Sequence, residues 1–151
     1  MKNWQEYNKN NLNLSKKLIK HNKLNNFNYI EDLFYNHIRD LLALNISLSN
    51  KNSLKILDYG SNLSTWSNLK NKINTDTIEV TIFDPFSTEN YSKEVELNFP
   101  VNVISNDKDL KSKKFDLTIF SSSSQYINNF YQTVLKENYI LSEQIFFIAT
   151  P

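Results

Sequence analysis

Leu54-Lys55-Ile56-Leu57-Asp58-Tyr59-Gly60-Ser61-Asn62-Leu63-Ser64 is an apolar run that passes an acidic residue and reaches the only glycine in this chain of 151 residues. Average usage near 7% would give about ten glycines at this length, so the one retained marks a place where no side chain fits. Leu54 to Leu57, apolar apart from Lys55, follow polar punctuation at Ser49-Asn50-Lys51-Asn52-Ser53, as suits a short buried parallel strand. Beyond the glycine, Leu63, Trp66, Leu69 and Ile73 recur at spacings of three, three and four, which predicts a helix lying on a sheet. The stretch reads as strand, turn at Gly60 and helix, with the turn open to the edge of a ligand.

The alternation continues toward the C-terminus. Ile78 to Phe83 predicts a second strand, ended by Asp84-Pro85, where proline cannot extend the ladder and a carboxylate is left at the strand's carboxyl end. Residues 87 to 98 are charged and weakly patterned and predict a loop or short helix. Val101-Asn102-Val103-Ile104 predicts a third strand, followed by Asp107 and Asp109, and Phe115 to Phe120 a fourth, running into Ser121-Ser122-Ser123-Ser124-Gln125-Tyr126. Ile127, Phe130, Tyr131, Val134 and Leu135 mark another amphipathic helix, and Gln144 to Ala149 the fifth strand.

Toward the N-terminus, residues 4 to about 50 read as helices. The second of them, about 29 to 45, carries Ile30, Leu33, Phe34, Ile38, Leu41, Leu42 and Leu44 as a broad apolar face suited to covering one side of the sheet. The first is more polar and suited to fraying or to acting as a lid. Strands separated by helices imply right-handed βαβ units with helices on both faces. The fold class expected is α/β: a doubly wound, Rossmann-like parallel sheet of about five strands in the order 3-2-1-4-5. An N-terminal helical segment, 1–52, and the Rossmann-like part, 53–151, form one structural unit.

Seventeen basic residues against sixteen acidic ones leave a net charge of +1, which gives no extended field for a polyanion, so nucleic acid is not the expected partner. The lack of cysteine excludes disulfides, a thiol nucleophile and thiolate metal ligands, and His21 and His37 read as solvated or hydrogen-bonded imidazoles. No metal site is expected. No run approaches the ~20 apolar residues of a membrane span, and the start of the chain does not resemble a signal peptide, so the expected location is cytoplasmic.

In a 3-2-1-4-5 sheet the ends of strands one and four meet at the topological switch point, where ligands bind. Asp84 can there accept hydrogen bonds from two ribose hydroxyls, or cap its own turn. Pro85 is counted beside it. Asp58 can face the positive end of a ligand or stabilise the turn from a buried position. Asp107 can meet an adenine amino group or be an ordinary loop aspartate. Ser121 and Ser122, with the serines after them, can offer backbone contacts or cap the next helix. Gln125 and Tyr126 can line an acceptor pocket or start that helix with a core tyrosine.

Leu57-Asp58-Tyr59-Gly60-Ser61-Asn62 resembles the first motif of class I S-adenosylmethionine-dependent methyltransferases, and Asp84, Asp107 and the strand at 115–120 fall where the later motifs of that family do. The segment Ser122-Ser123-Ser124-Gln125-Tyr126, followed by a helix and a strand ending in Thr150-Pro151, is similar to a methyltransferase family associated with surface-polysaccharide gene clusters. The similarity covers roughly residues 25 to 151. It implies S-adenosylmethionine as cofactor, held by Asp58, Gly60, Asn62, Asp84, Pro85, Asp107, Ser121 and Ser122, and a small polar acceptor, a sugar among the candidates, near Gln125 and Tyr126. Where that family carries a run of glycines, Ser61, Asn62 and Ser64 stand here. Asn62 tolerates the left-handed backbone such a turn needs.

The family's fold continues past a fifth strand, and this sequence stops before the continuation. The expectation is a C-terminally short chain with an open strand, 144–149, that pairs with a second copy or with a partner chain. The reaction implied is methyl transfer by in-line displacement, in which positioning supplies most of the acceleration. No catalytic base is assigned. A non-catalytic remnant or binding subunit on the same scaffold is the alternative. A nicotinamide-dependent oxidoreductase ranks below both, because the G-x-G-x-x-G fingerprint is absent.

Overall fold

The computed structural model describes residues 30–49, 51–60, 66, 78–84, 101–121, 123–124, 127, 129–136 and 142–148. The expected first helix, the loop at 87–98, and the site candidates Asn62, Pro85, Ser122, Gln125 and Tyr126 lie outside them, as does all of the 63–73 helix except Trp66.

Five strands, β1 (Leu54–Tyr59), β2 (Ile78–Phe83), β3 (Val101–Ile104), β4 (Phe115–Ser121) and β5 (Ser142–Ile148), form one parallel sheet in the order β3-β2-β1-β4-β5. This is the expected topology. Helix α1 (Ile30–Leu48) precedes the sheet, the short helix α2 (Asp107–Lys111) links β3 to β4, and a π-helical segment, α3 (Tyr131–Leu135), lies between β4 and β5.

Side chains alternate between faces along a strand, and the register sorts them across the sheet. Ile56, Val80, Ile82, Leu117, Ile119 and Ile148 share one face and form a core with Ile38 and Leu42 of α1 and with Trp66. Leu57, Tyr59, Phe83 and Ile104 share the other, where Leu110 of α2 packs. Cover on both faces explains the near-continuous burial of β1 and β2.

The buried side of α1 is narrower than its sequence suggests. Ile38, Arg39, Leu42, Ala43 and Ile46 form one stripe at helical spacing, while Leu41, Leu44 and Leu48 point the other way and are exposed. Leu41 and Leu44 thus do not cover the sheet. The reason is angular: at 100° per residue they stand on the far side of the axis from Leu42 and Ile46. The stripe also admits an arginine, Arg39, 1% exposed and engaged in interactions of its own.

Several boundaries differ from expectation. β1 runs on through Asp58, which is buried with a hydrogen bond from Trp66, to Tyr59, and β5 starts at Ser142, because edge-strand residues open to water need not be apolar. The expected helix around 127–135 instead has Asn129 at φ 51° ahead of its π-helical turn, a left-handed position that asparagine accepts better than most residues.

At the amino ends of the strands, Lys51 Nζ donates to Asp116 Oδ1 at 2.6 Å and to Glu143 Oε2 at 2.7 Å, and the Lys55 amide donates to Asp116 Oδ2 at 2.7 Å. The cluster clips β1, β4 and β5 together. Burial works to raise the Asp116 pKa, but the bonds from Lys51 and from the Lys55 amide outweigh it and hold the carboxyl below its ordinary 3.8. The bonds to Asp116 and Glu143 raise Lys51 above its ordinary 10.5. Asp116 therefore contributes stability that is present above its unfolded pKa and lost as pH falls through its depressed folded value. The Lys51 contribution is complete below its unfolded pKa and lost as pH rises through its elevated folded value. Urea midpoints measured against pH should fall on the acid side, with Asp116→Asn lowering the plateau and flattening that fall. An acid limb unchanged by the substitution would show that the clip carries no stability.

Candidate functional site

β1 and β2 end in register, Tyr59 opposite Phe83, so the residues that follow them, Gly60 and Asp84, leave the sheet side by side. The Gly60 N–H donates to the Phe83 carbonyl at 2.8 Å, and the Asp84 N–H donates to the Ile104 carbonyl at 3.0 Å. One hydrogen bond past each strand thus fixes the carboxyl rim from β1 to β3. Asp84 is 8% exposed and has further interactions.

Gly60 has φ +75°, a conformation that L side chains rarely adopt. A Cβ built on it would stand 2.8 Å from Ser123 Cβ. Ser123 Oγ in turn donates to the Tyr59 carbonyl at 2.5 Å. The close approach for which the lone glycine is kept is therefore one between loops of this chain. The turn after β1 rests on the loop after β4, and the floor of the switch point is protein.

Asp58 is fully buried, and Trp66 Nε1 donates to its Oδ2 at 2.6 Å. The bond spans eight residues and fastens the segment after Gly60 to the strand before it. Ser121, the last residue of β4, and Ser123 and Ser124 beyond it are all buried, and the Ile127 amide donates to the Ser124 carbonyl at 3.3 Å. Asp107 opens α2, whose N-cap is Asn106, with Asn106 Oδ1 accepting from the Lys108 amide at 2.9 Å. The structure thus brings Asp58, Gly60, Asp84 and Ser121 to one rim, with Asp107 three residues beyond the end of β3.

Below the rim an aromatic row crosses four strands on one face. Tyr59 lies 4.7 Å from Phe83 and 5.3 Å from Phe120, ring centre to ring centre. Phe120 stacks on Phe147 at 5.3 Å, and Phe130 meets both edge-on at 5.0 and 6.0 Å. Each such pair contributes about 0.5–1.5 kcal/mol beyond burial, enough together to fix the spacing of the strand ends.

Sequence reasoning did not single out Arg39, and it read Trp66 only as part of an apolar stripe and Ser123 only as one of a run. A buried tryptophan needs a partner for its N–H, and the aspartate eight residues earlier was the available signal. No sequence signal marks Arg39 as buried.

Among the described residues no group of His, Cys, Asp or Glu could hold a metal ion, and no helix is long and apolar enough to cross a membrane. Fold and rim define a Rossmann-like α/β sheet with a polar switch point. Comparisons with protein-family models, with curated proteins and with solved structures found no match to the chain.

Proposed function

We propose that the chain is an S-adenosylmethionine-dependent methyltransferase acting on a small polar acceptor, with a sugar hydroxyl as the first candidate. The observation that carries this reading is the hydrogen bond from Gly60 to Phe83, which sets the lone left-handed turn beside Asp84 at the carboxyl rim of a 3-2-1-4-5 sheet. A carboxylate at the end of β2 suits a pair of ribose hydroxyls, each charge-assisted bond contributing about 1.5–3 kcal/mol before desolvation. The bound cofactor would supply an electrophilic methyl group on a sulfonium centre. Asp84 would orient its ribose, Asp107 would meet the adenine end, and the Gly60 turn and Ser121, with Ser122 after it in the chain, would supply backbone contacts. Gln125 and Tyr126 remain the candidates for the acceptor side. Because Ser123 fills the space against the Cα of Gly60, the methionine end would have to lie above that contact.

A second reading, a non-catalytic binding subunit, is favoured by the same contact. Ser123 and Asp58 both already serve partners within the chain. Calorimetric titration with S-adenosylhomocysteine separates the two. The methyltransferase reading expects a one-to-one binding heat, weakened at least tenfold by Asp84→Ala, which corresponds to about 1.4 kcal/mol or more. Absence of heat and of thermal shift at millimolar ligand would leave only the binding subunit. Binding indifferent to Asp84→Ala would remove the ribose role.

A further inference from the structure

The two outer strands of the sheet are unlike. β3 is a four-residue edge, short enough to be a poor template. β5 is a seven-residue edge, Ser142-Glu143-Gln144-Ile145-Phe146-Phe147-Ile148, whose last four residues are uninterruptedly apolar and whose single charge is Glu143. Among the described residues its only strand neighbour is β4, and Phe147 is 43% exposed. Natural edges of this length are blunted by charge, proline or a bulge, and the described backbone of β5 has none of these after Glu143.

We infer that β5 pairs antiparallel with β5 of a second copy about a two-fold axis at Ile145, joining two sheets into one. Charge selects the register. An axis at Ile145 pairs all of β5, with Glu143 opposite the partner's Phe147, whereas an axis at Glu143 would oppose two carboxylates and leave Phe147 unpaired. A residue-centred axis also keeps the faces matched, so the odd-numbered side chains of both copies share the side that carries α3. There Lys136 and Ile145 line one cavity of about 380 Å³ with Tyr131 and Leu135. The partner's Glu143 falls diagonally across from Ile145, about 7–8 Å away, on the same side of the joined sheet as that cavity. Glu143 bonds its own Lys51 through Oε2 and its side chain stays 70% exposed, so each copy brings a carboxylate with a second oxygen to the side where the other carries Lys136.

The chain has no cysteine, so an introduced one can cross-link only to its own mate. Ile145→Cys stands at the axis, where facing Cα atoms are about 4.5–5.5 Å apart and a disulfide is allowed. Phe147→Cys would lie about 13 Å from its mate, four residues along the ladder, beyond any disulfide. Light scattering should give the full chain twice the mass of one copy, and mild oxidation should cross-link the first variant and not the second. Ile145→Lys and Ile145→Glu, checked for folding by circular dichroism, should each be monomeric and should dimerise when mixed. A monomeric wild type would overturn the inference in favour of another occupant of the edge. Equal cross-linking at 145 and 147, or folded charge variants that stay dimeric alone, would overturn the register.

Discussion

Gly60→Ala should destabilise the chain by about 3 kcal/mol, a large part of the 5–15 kcal/mol that holds a domain of this size. Two separable causes add. The left-handed backbone at φ +75° costs an L side chain roughly 1–2 kcal/mol. The new Cβ must also sit 2.8 Å from Ser123 Cβ, an overlap of the kind that costs about 1–3 kcal/mol in a packed interior. Urea denaturation of Gly60→Ala, Ser123→Gly and the double variant tests the partition. Removing the serine side chain relieves the overlap but not the backbone strain, so the double variant should lose at least about 1 kcal/mol less than the sum of the singles. Strict additivity would mean that the two loops do not touch.

Trp66→Phe should cost a similar amount, about 3 kcal/mol, although it changes one aromatic ring for another. The indole N–H donates to a fully buried carboxylate, and withdrawing a donor from a buried charged acceptor costs more than the ~1–3 kcal/mol of a neutral group. The smaller ring also leaves space in the core cluster to which Trp66 belongs. Adding Asp58→Asn to Trp66→Phe removes the charge and should restore part of the loss. In the wild-type background Asp58→Asn keeps an acceptor for Trp66 and should cost less than Trp66→Phe. A double variant no more stable than Trp66→Phe alone would show that burial of charge at Asp58 is not what the tryptophan relieves.

The sheet was readable in advance because its signals are one-dimensional. Apolar runs at Leu54, Ile78, Val101, Phe115 and Gln144, each followed by polar punctuation, suffice to place five strands. The right-handed crossover then leaves few orders, of which 3-2-1-4-5 is the simplest. Gly60 and Asp84 were legible for a related reason, since each is defined by its place at a strand end. What periodicity does not carry is which loop meets which. Ser123 is one of four consecutive serines, and nothing local distinguishes the one whose hydroxyl binds Tyr59, because the choice is made by the approach of β4 to β1. The faces of α1 were misread for the opposite reason. Leucines crowd both sides of that helix, so the pattern could not say that Arg39, and not Leu41 or Leu44, turns inward.

Phe120 is held on three sides by Tyr59, Phe130 and Phe147 and has no exposed surface. A ring so enclosed can turn over only when its neighbours give way together, which makes slow flipping in an aromatic resonance spectrum a direct gauge of how stiff the strand ends are. The same ring touches residues of β1 and β5 and Phe130, so a guest at the rim that shifted either strand end would register in its flip rate.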